Sequence, residues 1–240
     1  GDVLEIPEGT QNLLGTLSLE GKENIIIRGK GVDVSILSFA QQEDGAEGLK
    51  IINCKNIQLE HFTIQDSKGD GIKVQDTDGI TFINVKTEWT KGPDPENGAY
   101  GIYPVQCRNV MIDSCISIGA SDAGIYVGQS EQIIVKNSEA FHNVAGIEIE
   151  NSINADVFDN YAHHNTGGIL IFDLPDLIIK KGQNVRVFDN RVEENNLDNF
   201  APPGNIVSTV PAGTGIMVLA TSDIEIFNNS YRSFHFHYWE

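Results

Sequence analysis

YGIYPVQCRNVMIDSCISIGAS (residues 100–121), DAGIYVGQSEQIIVKNSEAFHN (122–143) and VAGIEIENSINADVFDNYAHHN (144–165) are three copies of one unit. The dipeptide Gly-Ile marks them at Gly101, Gly124 and Gly146 and returns at Gly168, in steps of 23, 22 and 22 residues. In the last two copies Ser138-Glu-Ala-Phe-His142-Asn143 lies over Asn160-Tyr-Ala-His-His164-Asn165. A fixed period in the low twenties predicts a solenoid, in which each unit buries its apolar side against its neighbours.

The pattern inside a unit selects the type of solenoid. Short alternating runs such as Ile125-x-Val127 and Ile133-x-Val135 are bounded by Gly, Asn, Asp or Ser. Alternation of this kind predicts strands. A leucine-rich repeat needs a leucine ladder, and none is present. The expected fold is therefore all-β, a single parallel β-helix with about 22–23 residues per coil. At that period 240 residues make about nine or ten coils in one domain.

Working outward, residues 1–47 match the repeat weakly and predict a cap with irregular coils. Such a cap keeps strand edges and core from lying bare. Regular coils are expected from Gly48 to residue 233, with insertions near 87–99, 173–183 and 197–212. The alternating aromatic tail, residues 234–240, reads as the start of a further coil or a C-terminal cap.

Period two also sorts the side chains. Leu49, Ile72, Ile102, Ile125, Ile147, Ile169 and Ile216 form an inward column. A second column ends in Asn160, Asn190 and Asn229, an expected amide ladder. Two outward columns hold Lys50, Lys73, Tyr103, Tyr126, Glu148, Leu170 and Met217, and Ile52, Gln75, Val105, Gly128, Glu150, Phe172 and Leu219. Their middle is polar and aromatic. Their far end is an apolar patch, which marks a contact surface if bare; the insertion at 197–212 is expected to fold over it.

The formal charge of −18 argues against binding nucleic acid phosphates. No run of eighteen apolar residues is present, so no transmembrane segment is expected. The sequence opens at Gly1 rather than Met, as removal of a leader would leave it. Cys54 and Cys107 fall in one column two coils apart. At roughly 4.8 Å per coil that exceeds the reach of a disulfide, so free buried thiols are expected.

Several groups could carry chemistry. Lys73, Trp89, Tyr126, Glu148 and Glu150 are candidate substrate-binding residues. Glu148 and Glu150, two apart on one face, stand roughly 6.5–7 Å apart, within the range of inverting glycosidase carboxylates; a solvated acidic face is the plainer reading. Tyrosine and tryptophan rings stack on sugar faces, and the same rings serve protein contacts. His142 and His164 share a column and, with Glu139, Asp122 or Asp159 nearby, offer a weak metal site, with surface stacking the plainer reading. Asp94, Glu96, Asp173 and Asp176 sit in loops and offer oxygen ligands for Ca²⁺. No EF-hand or nonapeptide calcium repeat accompanies them.

Ala99-Tyr-Gly-Ile-Tyr-Pro-Val-Gln106, followed by Val110-Met-Ile-Asp-Ser-Cys115, resembles the catalytic coil of bacterial mannuronan C5-epimerases. That coil carries Tyr-Gly-Phe-Asp-Pro-His on a right-handed β-helix. The wider likeness is to carbohydrate-active β-helix domains, pectate-lyase-like proteins among them, and to exported bacterial β-helix repeat proteins of unknown function. The resemblance implies a right-handed helix, a polysaccharide or oligosaccharide ligand, and a bacterial protein exported to the periplasm, cell surface or medium. Tyr100 matches the motif tyrosine, but the motif aspartate falls on Tyr103, the histidine on Val105 and a further aspartate on Gly128. Three of those four functional positions therefore lack the family's chemistry.

The leading expectation is an exported polysaccharide-binding or polysaccharide-modifying protein with an outward groove of Tyr, Lys and Glu. The alternative is a non-catalytic scaffold that docks a protein partner through its aromatic and apolar face. A third reading, an epimerase or lyase, makes Tyr100 or Tyr103 the catalytic base.

Overall fold

A computed structural model describes residues 1–232 of the chain. It is a right-handed parallel β-solenoid with three faces per coil. One face is an eight-stranded sheet: Gly15–Glu20, Asp44–Ile52, Ile72–Gln75, Tyr100–Val105, Ala123–Gly128, Ala145–Glu150, Gly167–Phe172 and Thr214–Leu219. The other two faces merge into a sixteen-stranded sheet, because Lys55–Gln65 and Asp78–Glu88 run through the corner between them.

Eight stacked strands make about seven turns, fewer than the nine or ten expected from the period. Coil length accounts for the difference. Leu17 pairs with Leu49 and Ile169 with Ile216, so the first of these coils takes 32 residues and the last 47. Residues 1–47 are themselves stacked coils, with Val3 on Ile26 and Ile36 on Thr63. The tail at 234–240 lies outside the described residues.

The inward column holds in register from Leu49 through Ile72, Ile102, Ile125, Ile147 and Ile169 to Ile216. All but Ile216 are buried. The marker glycine has a steric cause. A Cβ on Gly71 would stand 2.6 Å from the Gly101 carbonyl oxygen, and one on Gly146 would stand 2.6 Å from that of Gly168. Backbones of successive coils meet at this corner and leave no room for a side chain.

Turns between faces use polar residues in the left-handed region. Asn53, Asp76, Gln106, Gln129 and Asn151 take φ between +40° and +55°, a conformation that Asn and Asp tolerate better than most residues. Buried amides then fix coil spacing. Asn160 Nδ2 donates to Asn190 Oδ1 (3.0 Å), and Asn190 Nδ2 donates to Asn229 Oδ1 (2.9 Å). A second ladder, Asn143–Asn165–Asn195, repeats the arrangement at 3.1 and 2.9 Å. Cys54, Cys107 and Cys115 are free and buried, as expected.

Candidate functional site

The site forms on the outer face of the eight-stranded sheet. The strand registers place Tyr126 beside Glu148, Glu148 beside Leu170, Gly128 beside Glu150, and Glu150 beside Phe172. Residues 197–212 cross this face as a strap. Leu197 N–H bonds to Asn165 O (3.1 Å) and Gly213 N–H to Asn195 O (2.7 Å), fixing both ends of the strap. Asn199 Nδ2 donates to the carbonyls of Val207 (2.8 Å) and Val210 (2.9 Å), folding its middle.

Beneath the strap lies a second apolar core, outside the barrel. Val207 and Val210 pack with Leu170, Phe172, Tyr126, Ala123, Val144 and Ala145. Burying a Val, Leu or Phe side chain stabilises by about 1.5–3 kcal/mol, so a few such residues hold the strap. Leu170 and Phe172 are thus covered, while Leu219 stays 54% exposed.

Between strap and sheet is a cleft of about 360 Å³, lined by Ala99, Tyr100, Asp122, Glu148, Glu150, Phe172, Leu174 and strap residues 204–207. No Lys or Arg lines it. Asp122, Glu148 and Glu150 are buried, at 7%, 1% and 8% exposure. The solvated acidic face expected for Glu148 and Glu150 is therefore incorrect: the strap removes them from water. Asp122 Oδ1 and Glu148 Oε1 have no hydrogen-bond partner. Tyr100 Oη donates to Asp122 Oδ2 at 3.4 Å.

Burial sets the protonation of these acids. Desolvation pushes Asp122 up to about 7, against the Tyr100 hydrogen bond and with help from the charges of Glu150 and Asp70. Glu148 rises well above the usual carboxylate range through burial and the neighbouring Asp122 and Glu150. Burial also raises Glu150, which Tyr126 opposes by a hydrogen bond. Asp70, beside this group, is raised to about 6 by burial. Burial and mutual repulsion therefore favour the protonated form of each of these acids.

The tyrosines cluster as the sequence suggests. The Tyr100 ring lies 4.4 Å from Tyr103 and 4.7 Å from Tyr126, and Lys73 Nζ is 5.3 Å from the Tyr103 ring centre. Tyr126 is 4% exposed and offers no free face for a sugar. Burial pushes Tyr103 up to about 12 and raises Tyr100 and Tyr126 as well. Tyr100 and Tyr126 are hydrogen-bond donors here, to Asp122 and Glu150, and the raised values of all three speak against Tyr100 or Tyr103 as a base.

Trp89 is not in the cleft. It is 5% exposed, and its Nε1 donates to Ser67 O at 2.8 Å, anchoring the 87–99 insertion. Only Ala99 of that insertion lines the cleft. His142 and His164 lie edge to face at 6.1 Å, while His163 contacts both Glu139 (2.8 Å) and His164 (2.7 Å). Among the described residues no group of three or more His, Cys, Asp or Glu is placed to hold a metal ion, so the loop carboxylates considered for Ca²⁺ do not converge.

Sequence reading considered Asp122 only as a companion of His142 and His164 at a metal, and it missed Asp70; neither was expected at the cleft. The usable signal was that Asp122 stands two residues before a marker Gly, where Gly48, Gly71, Gly101, Gly146 and Gly168 are preceded by Ala46, Gly69, Ala99, Val144 and Thr166. A carboxylate in such a column is out of place in a purely structural corner.

Comparison with known proteins defines the fold's relatives. The periplasmic alginate epimerase AlgG matches with a TM-score of 0.52 and 14% identity, over 86% of this chain. The chain spans 50% of that epimerase's length. An alginate lyase from Paenibacillus sp. str. FPU-7 gives 0.49 and 13%, covering 98% of this chain and 91% of the lyase. The Azotobacter vinelandii mannuronan C-5 epimerase AlgE4 A-module gives 0.39 and 11%, covering 96% and 87%. No curated protein matches the sequence. The model of the family described as "Right handed beta helix region" matches residues 47–231, most of the chain, and the protein belongs to that family.

Proposed function

We propose that the protein binds and modifies a polysaccharide in the cleft beneath the strap, by acid–base chemistry. One observation carries this reading: Asp122 and Glu148 are buried with unpaired carboxyl oxygens facing an open cleft. An unpaired buried polar atom costs about 1–3 kcal/mol, and a structural site would have satisfied it or replaced it with an apolar residue. The likeness to the alginate epimerase is one of fold; the ligand class rests on the cleft. In this reading Glu148, held protonated, is the acid that donates to a leaving oxygen. Glu150, two residues along the strand, takes a proton from water. Tyr126 orients Glu150 and Tyr100 orients Asp122, while Tyr103 stacks on Tyr100 and Lys73 on Tyr103, outside the cleft lining.

Location outside the cytoplasm belongs to the same proposal. Polysaccharides of this kind lie outside the cell, and no helix among the described residues is long and apolar enough to cross a membrane.

A glycan-array screen with alginate and pectic oligomers included, on wild type and Glu148→Gln, tests the proposal. Binding within about threefold of wild type, with turnover down by about 100-fold or more, is the expected result for a lost acid. Failure of every glycan to bind would refute it. A protein-docking scaffold is the second reading, favoured by exposed Leu219 and by the parallel ladder Phe158–Phe188–Phe227, with rings 4.9 Å apart at each step.

A further inference from the structure

We propose that the sugar unit seated between Asp122 and Glu148 carries no acid group, so the cleft takes a neutral or amino sugar and rejects a uronate. This rests on the glycan reading above and narrows it.

The argument is one of charge and donor count. Three carboxyls, Asp122, Glu148 and Glu150, line the cleft, with no Lys or Arg among the lining residues. The nearby cation, Lys73, is held 5.3 Å from the Tyr103 ring centre and does not line the cleft. A uronate carboxylate entering here would add a fourth acid to a site whose three carboxyls already crowd one another, and it would find no cation among the lining residues to neutralise it. Like charges at close range in a partly desolvated site repel strongly. The unpaired atoms point the same way. Asp122 Oδ1 and Glu148 Oε1 belong to groups more than nine-tenths buried. Whenever it is ionised, Asp122 only accepts hydrogen bonds, and a sugar hydroxyl or ammonium supplies the missing donor. A second carboxylate supplies none.

The experiment measures binding of glucose, galactose and mannose hexamers near pH 7. Each hexamer is supplied as the neutral sugar, the 2-amino sugar and the C6 uronate. Wild type, Asp122→Asn and Glu148→Gln are compared, with folding checked by circular dichroism. In the series that binds, the neutral or amino member is expected to bind about tenfold or more tighter than its uronate. The better of those two identifies hydroxyl or ammonium as the donor. Asp122→Asn is expected to narrow the gap to the uronate. A uronate that binds wild type as tightly as its neutral partner, and more weakly after either substitution, would overturn this inference while leaving the glycan cleft standing. A uronate whose tight binding ignores both substitutions, or no binding in any series, would refute the cleft reading and this inference with it.

Discussion

Asp122→Asn keeps the shape of a buried side chain while removing its charge, and its effect on stability should depend strongly on pH. Asp122 is raised from 3.8 to about 7, chiefly by burial. Each pH unit is worth about 1.4 kcal/mol, which sets an upper bound of about 4 kcal/mol. The cleft admits water and Glu148 shares the burden, so the expected effect is about 2 kcal/mol. The sign follows from the raised value. The wild-type carboxyl's contribution is fully present below about pH 4 and is lost as pH rises through about 7. The variant has no such loss. Its advantage over wild type should be near zero at pH 4 and reach about 2 kcal/mol at pH 8, roughly 4–8 °C in Tm for a chain of this size. Scanning calorimetry of both proteins from pH 4 to 8 reads the difference directly. Subtraction cancels other titrating groups such as Glu60 and Asp113, which are lowered by their partners. Parallel curves for the two proteins, or a variant that weakens relative to wild type as pH rises, would refute a buried carboxyl held near neutrality.

Asn165 makes bonds to Asn143, Asn195 and Ala140 within a fully buried ladder. Asn165→Ala should therefore cost about 3 kcal/mol or more; a loss below about 1 kcal/mol in urea unfolding would remove the ladder from the list of stabilising features. Gly128→Ala places a Cβ 2.0 Å from Tyr126 Oη and 2.4 Å from its Cζ. We expect about 1–3 kcal/mol of destabilisation and release of Tyr126, read as new nitration of that ring by peptide mass mapping. All three thiols are buried, and burial pushes Cys107 and Cys115 up to about 12. No thiol should react with Ellman's reagent in the native protein and all three should react in denaturant; rapid native labelling would contradict the packing.

The columns that define the site were legible because a strand has period two and a solenoid repeats its coil. From those two rules the sequence places Tyr103 over Lys73 and Glu148 over Tyr126, as the registers show. Covering was harder to read. The apolar patch itself led to the expectation that 197–212 covers Leu170 and Phe172, and it does, but a segment with no period does not say that Val207 and Val210 make the seal or that the same cover buries Glu148. Without the strap Glu148 looks solvated, although it is 1% exposed. Trp89 misled for the opposite reason: an aromatic in a Pro/Gly-rich insertion suggests a binding wall, yet its indole anchors the insertion from inside. Asp122 was overlooked as a cleft residue because it precedes its strand, Ala123–Gly128, and falls outside the alternation that singles out Tyr126 and Glu148.

The strap follows its own site in chain order. Tyr100, Asp122, Glu148 and Phe172 all precede residue 197, and the strap then returns across them. Coils of a solenoid form against their neighbours, so during synthesis this face is laid down open to water, with its acids free to ionise. Only when the ribosome has released residues 197–212 do Val207 and Val210 dry the surface. The acids then take up protons as a late event of maturation. A nascent chain halted before the strap would carry a hydrated, more negative version of this face.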